Sequence, residues 1–81
     1  MPYIKQQTRQ ELKNRAREPW TLGELNYKIT LMIKDYLDGE GHRYATYAGV
    51  IGVLETIILE LYRRVVVPYE EKKISENGDV F

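Results

Sequence analysis

Apolar residues recur every three or four positions through most of the chain, which is the pattern of amphipathic α-helices. The clearest run predicts a helix over residues 22–38. Thr21, with Glu24 three residues later, forms a capping box at its start, and the glycine-containing turn 38–41 ends it. The predicted apolar face consists of Leu22, Leu25, Ile29, Met32, Ile33, Tyr36 and Leu37.

A shorter helix is expected before it, over residues 8–18. Thr8 and Glu11 repeat the capping-box spacing, and Pro19 cannot continue a helix. The segment has few apolar residues, so we expect it to lie on the surface. Trp20 follows the break, where an indole typically anchors a loop to the core.

The most apolar stretch predicts a long third helix over residues 44–67. We expect it to end before Pro68, because proline has no N–H group to continue the hydrogen-bond ladder. Residues 69–77 predict a short fourth helix, which Gly78 stops before the tail. The chain is therefore expected to be all-α: a small helical hairpin or bundle of three to four helices, in a single domain spanning residues 1–81.

The long helix is apolar around more than one face, unlike the second helix. One stripe consists of Tyr47, Val50, Leu54, Ile57 and Leu61, and the adjacent stripe consists of Ile51, Ile58, Tyr62 and Val65. The second helix is shorter and can cover only part of this surface. We therefore expect a second copy of the chain to cover the rest, giving a homo-oligomer of at least two chains. The expected interface residues are Val50, Leu54, Ile57, Ile58, Leu61 and Val65.

Composition favours such assembly, because 81 residues form one small core at most. The chain contains no cysteine, so disulfides are excluded, and its only histidine is His42. Zinc sites normally use cysteine and histidine ligands. We therefore expect no metal and no cofactor, which leaves oligomerisation as the supplement to stability.

The stretch 47–67 is about long enough to cross a bilayer but does not suit one. It contains Glu55, Glu60, Arg63 and Arg64. Each central charge costs roughly 3 kcal/mol on insertion. With no apolar signal region at the start, we expect a cytoplasmic protein without membrane partners.

Charge separates the two ends of the chain, although the formal net charge is +0. Residues 1–20 carry a net +3 and residues 69–81 a net −2. The ends are either solvated faces or attract each other within a chain or across an oligomer. A neutral chain argues against a general nucleic-acid binder. Val80 and Phe81 are expected either to dock on a neighbour or to belong to a disordered terminus.

Catalytic motifs are absent from the sequence. No Ser-His-Asp or Cys-His set can be assembled around His42 alone, and no phosphate-binding glycine motif is present. Glu60 and Arg64 are four residues apart and predict a structural ion pair. We expect a protein that is not an enzyme.

One cluster remains as a candidate site, in a chain with seven tyrosines. The adjacent Arg63 and Arg64 near the end of the long helix either complement the helix dipole or, beside tyrosines of several chains, bind phosphates and stacked bases. The expected ligand contacts are Tyr62, Arg63, Arg64 and Tyr69.

Four segments resemble a family of small uncharacterised proteins encoded by tailed phages, bacteria and archaea. They are residues 23–27 (GELNY), 50–55 (VIGVLE), 62–66 (YRRVV) and the ending 68–80, with PYE, KI and NGDV. The resemblance covers roughly residues 1–5 and 21–81 and implies no catalytic residues. It does suggest inhibitors of host defence, since some small phage oligomers sequester cyclic-nucleotide signals.

Three functions follow as hypotheses. The first is a non-enzymatic oligomer that binds a small anionic or nucleotide ligand. The alternative is a protein–protein interaction module, an inhibitor or accessory factor whose apolar helix or acidic tail engages a host protein. The third is a DNA-associated accessory that uses the basic first helix.

Overall fold

A computed structural model of the protein describes residues 3–14 and 18–81. All regular structure in these ranges is helical, which confirms the predicted all-α class. The elements are α1 (Gln6–Lys13), α2 (Leu22–Glu40), α3 (Tyr44–Leu61), a π-helical turn (Tyr62–Val66) and α4 (Val67–Asn77). The chain divides into two compact units, residues 1–46 and 47–81. That a single domain spans residues 1–81 stays a prediction.

Helix α1 begins two residues before the predicted start, and Thr8 is not its cap. The backbone N–H of Arg9 donates to the Lys5 carbonyl at 3.0 Å, and the Arg9 side chain donates to the Ile4 carbonyl at 2.9 Å. These bonds bring the preceding residues into the first turn, so no side-chain cap is used. The helix ends at Lys13 rather than near residue 18, and the predicted segment 15–17 lies outside the described residues.

The start of α2 confirms the predicted cap. Thr21 Oγ1 accepts from the backbone N–H of Glu24 at 3.1 Å, and Glu24 Oε1 accepts from the backbone N–H of Trp20 at 3.0 Å. Glu24 is buried as a result. The prediction that Trp20 anchors the loop in the core is wrong, because its side chain is 78% exposed.

The end of α2 lies beyond the predicted stop at residue 38. The helix continues through Gly39 to Glu40, and Gly41 closes it with a φ of 110°. The N–H of Gly41 donates to the Leu37 carbonyl at 2.8 Å. The glycine that takes the positive φ ends the helix, because a side chain there would be strained.

The first unit has a small core where α1 lies against α2. Leu12 is 1% exposed, and Leu12 and Glu24 are the buried side chains of the described chain. The Arg9 guanidinium lies 5.8 Å from the centre of the Tyr27 ring, a cation–π contact between the two helices. Leu12, the Arg9–Tyr27 contact and the cap at Thr21 are among the contacts that hold these elements together.

The second unit consists of one helix and the tail. The predicted break before Pro68 is wrong, since the π-helical turn leads directly into α4. In an α-helix, Pro68 would leave the Arg64 carbonyl without a donor and press its ring against that carbonyl. The wider turn, in which the Val67 N–H donates to the Tyr62 carbonyl five residues back, accommodates the proline without ending the helix.

The end of α4 agrees with the predicted stop. Gly78 has a φ of 93°, and its N–H donates to the Ile74 carbonyl at 2.8 Å. In the tail, the Asp79 carboxylate accepts from the Phe81 N–H at 2.9 Å. In the part of the chain that the structure describes, no helix is long and apolar enough to cross a membrane.

Candidate functional site

The largest candidate surface is the apolar side of the long helix in the second unit. The structure describes every residue from 47 to 81, and none of them is buried. Ile58 is 65% exposed and Leu61 57% exposed. Of the predicted interface residues, Val50 and Leu54 are partly covered, whereas Ile57, Ile58, Leu61 and Val65 are exposed.

The surface is apolar because this segment of the sequence contains few charged residues. Between residues 47 and 59, Glu55 is the only charged residue. The hydroxyl of Thr56 donates back to the Val53 carbonyl at 2.7 Å, so it is partly satisfied within the helix. Burying what remains exposed of one such side chain is worth roughly 1 kcal/mol or more. An uncovered face of this length is therefore a surface for association.

The predicted arginine cluster is organised by a single carboxylate. Arg64 Nε lies 2.9 Å and Arg63 Nη2 3.1 Å from Glu60 Oε1, which confirms the predicted Glu60–Arg64 pair. All three side chains are more than half exposed, so these pairs contribute only about 0.3–0.5 kcal/mol each. Glu60 therefore neutralises part of the positive charge of Arg63 and Arg64, which were predicted to bind an anion.

The predicted ligand contacts are divided between two parts of the helix. Tyr62, Arg63 and Arg64 lie in the π-helical turn, whereas Tyr69 lies in α4. The ring of Tyr69 contacts Lys73, whose Nζ is 5.6 Å from the ring centre. Within one chain, the two arginines contact Glu60 and the ring of Tyr69 contacts Lys73.

A second polar cluster, which the sequence reasoning missed, lies at the end of α2. Asp38 accepts from Lys34 Nζ at 2.8 Å, and its other carboxylate oxygen lies 2.7 Å from His42 Nε2. The bond from Lys34, followed by the contact with His42, lowers the pKa of Asp38 below its ordinary 3.8. The same bond raises the pKa of Lys34. The four-residue spacing of the three residues was the available signal, and the predicted turn at 38–41 concealed it.

The tail forms a shallow open groove with α4. It is lined by Glu70, Lys73, Ile74 and Asn77 of the helix and by tail residues 78–81. The side chains of Val80 and Phe81 are exposed in the single chain, and their docking on a neighbour stays a prediction. No group of histidine, aspartate and glutamate suited to a metal ion occurs among residues 3–14 and 18–81.

These features define a small helical protein whose most apolar helix is exposed along its length. The chain belongs to the family described as Domain of unknown function (DUF6899), whose family model matches residues 1–80. This confirms the predicted membership of an uncharacterised family. No curated protein and no solved structure matches the chain.

Proposed function

We propose that the protein is a non-enzymatic helical module that acts through self-association of its long helix. The observation that supports this proposal is the exposure of the apolar side chains from Tyr47 to Val65. Isolated helices are marginally stable in water, because a helix draws most of its stability from burying an apolar face. A second copy of the chain can bury this apolar face, and it is present wherever the protein is present.

We further propose, on the resemblance to phage and prokaryotic proteins, that the module acts in the cytoplasm of a bacterium or archaeon. There the assembled module would engage a host protein, and assembly would precede that contact. The acidic tail and the exposed Val80 and Phe81 provide the surface for this second partner. Self-association is the part of the proposal that can be tested without knowing the partner.

The test is the mass of the protein in solution, measured by light scattering on a sizing column at micromolar concentration. We expect at least a dimer. Ile58→Asp should weaken association at least about 100-fold, because an unpaired carboxylate would be buried in the interface. Thr56→Asp is the matched control on the same helix and should leave the mass unchanged. A monomeric native protein would contradict the proposal.

A second candidate function is the binding of a small anionic ligand, such as a cyclic nucleotide, by Tyr62, Arg63, Arg64 and Tyr69. The observation in its favour is the π-helical turn over residues 62–66, since such turns occur frequently at functional sites. In an oligomer, the cluster is repeated in every chain, so arginines and tyrosines of different chains would share one ligand.

Calorimetry with cyclic di- and trinucleotides tests this candidate. We expect heat with at least one of them, which Arg64→Gln should remove while the mass of the oligomer stays the same. Lys72→Gln, one turn beyond the π-helical segment, is the control and should leave binding unchanged. Folded oligomer that gives no heat with any of these ligands would exclude the candidate.

A further inference from the structure

The apolar positions of the long helix follow the seven-residue repeat of a coiled coil. Ile51, Leu54, Ile58, Leu61 and Val65 are spaced by three, four, three and four residues. In the usual letters, Ile51, Ile58 and Val65 are a positions, and Leu54 and Leu61 are d positions. The repeat lies inside the broader apolar surface but is narrower, and it specifies which side chains meet.

The residue types at these positions are themselves informative. All three a positions carry β-branched side chains, and both d positions carry leucine. In parallel coiled coils this combination favours two strands, since β-branched residues fit the a layers and leucine the d layers of a dimer. The three a residues are also each more than half exposed in the single chain.

The π-helical turn extends this seam. An unbroken repeat would put Pro68 at the next d position, where its ring would replace a leucine. The π-helical turn adds one residue to a helical turn, so the following residues rotate back by about 100°. Tyr69 then takes the d position, and Pro68 moves off the seam. The proline and the π-helical turn together keep an aromatic side chain in line with Leu61 and Val65.

Charge bears on the direction of such a pair. In an antiparallel pair with residues 51–61 overlapped, Ile51 would face Leu61 and the two Glu55 carboxylates would lie beside each other. In a parallel pair, Glu55 lies beside Val50 of the second copy, and no like charges meet along residues 50–62. Repulsion between like charges therefore disfavours that antiparallel register.

The area is sufficient for a stable dimer. Of the side chains at 51, 54, 58, 61, 65 and 69, five are more than half exposed. Each offers roughly 100 Å² of apolar surface. With the flanking Ile57 and Tyr62, the total approaches about 800 Å² per chain, which is the size of a standard specific interface.

We infer that the long helix pairs in parallel with the same helix of a second copy, as a two-stranded coiled coil. This inference rests on the proposed self-association and specifies its geometry. The seam consists of Ile51, Leu54, Ile58, Leu61, Val65 and Tyr69. The rival occupant is α2 of the same chain, which would cover the seam without any second copy.

Disulfide trapping tests the geometry cleanly, because the protein contains no cysteine. Ile51→Cys and Val65→Cys lie near opposite ends of the seam. In a parallel pair, each position meets itself, so both variants should form covalent dimers on oxidation. Thr56→Cys lies on the outer side of the helix and should remain largely unlinked. An antiparallel pair would link at most one of the two seam variants.

A second measurement covers the case in which a seam cysteine disturbs folding. A nitroxide on Asn77→Cys, outside the seam, reports the separation of the two helix ends by pulsed electron spin resonance. A parallel pair brings the labels within about 30 Å, whereas an antiparallel pair separates them by on the order of 50 Å or more. The larger distance would overturn the inference.

The mass of the protein and the pattern of disulfide links together distinguish self-association from the parallel coiled-coil geometry. A dimer in which both seam cysteines link supports the inference. A dimer with antiparallel links, or a trimer or larger assembly, overturns the inference and leaves self-association standing. A native monomer with unlinked cysteines contradicts self-association itself.

Discussion

The two units of the chain differ in what holds each of them together. The first unit has a buried leucine, a cation–π contact between α1 and α2 and a helix cap made by two side chains. The second unit, residues 47–81, has no buried side chain, although it contains the most apolar sequence. The buried side chains therefore lie in the first unit, whereas the most apolar sequence lies in the second.

This difference suggests that the first unit determines folding stability and that the second unit determines association. The first unit has buried side chains and contacts between its own helices, so single changes at these contacts are expected to act on folding. The long helix of the second unit has no buried side chain, so changes on its apolar side are expected to act through a partner. The following predictions test this separation, from the largest expected effect to the smallest.

The largest effect on folding of the first unit is expected for Leu12→Ala. Leu12 is the side chain with the least exposure, so its truncation should cost about 2–5 kcal/mol and leave a cavity between the helices. Thermal unfolding followed by circular dichroism measures the loss. Leu22→Ala, at an exposed position of α2, is the control and should change the midpoint little. Equal losses for both would show that the small core does not hold the unit.

A smaller effect is expected for Thr21→Ala, which removes the acceptor at the start of α2. Losing an N-cap side chain costs about 1 kcal/mol. Chemical denaturation should show a lower midpoint with an unchanged slope. Thr30→Ala, in the exposed interior of the same helix, is the comparison, because Thr30 only bonds the side chain of Asn26. A midpoint that moves more for Thr30 than for Thr21 would contradict the role of the cap.

The smallest effect is expected from acid at the end of α2. The lowered pKa of Asp38 means that its bonds to Lys34 and His42 stabilise the folded state above pH 3.8. This contribution is lost as the pH falls below 3.8 and the carboxylate takes up a proton. Nuclear magnetic resonance of the carboxyl carbon should show titration below 3.8. Titration at or above 3.8 would contradict the cluster.

Local signals in the sequence predicted part of this structure and missed another part. The cap at Thr21, the stop at Gly78 and the Glu60–Arg64 pair depend on neighbours within four residues, so spacing alone reveals them. The start of α1 and the end of α2 were misplaced. At α1 the Arg9 N–H bonds the Lys5 carbonyl, so Thr8 lies inside the helix. At α2 the turn contains two glycines, and the second of them, Gly41, ends the helix through its bond to the Leu37 carbonyl.

The break before Pro68 was wrong for a different reason. Proline removes one hydrogen bond from an α-helix, but the sequence on both sides favours helix and a π-helical turn absorbs the difference. The four predicted ligand contacts could be read from residue type. Their arrangement could not, because it depends on the π-helical turn and on the neighbouring Glu60 and Lys73. That these four residues contact a ligand stays a prediction. The exposure of the long helix could be anticipated from the surplus of apolar residues.

The most direct test that the second unit acts in association is amide hydrogen exchange measured at two protein concentrations. If a second copy covers the long helix, protection in residues 47–67 should fall when the protein is diluted from high micromolar to nanomolar concentration. Protection in α2 near its cap should stay the same, because it depends on contacts within the chain. Protection in residues 47–67 that does not change on dilution would contradict self-association.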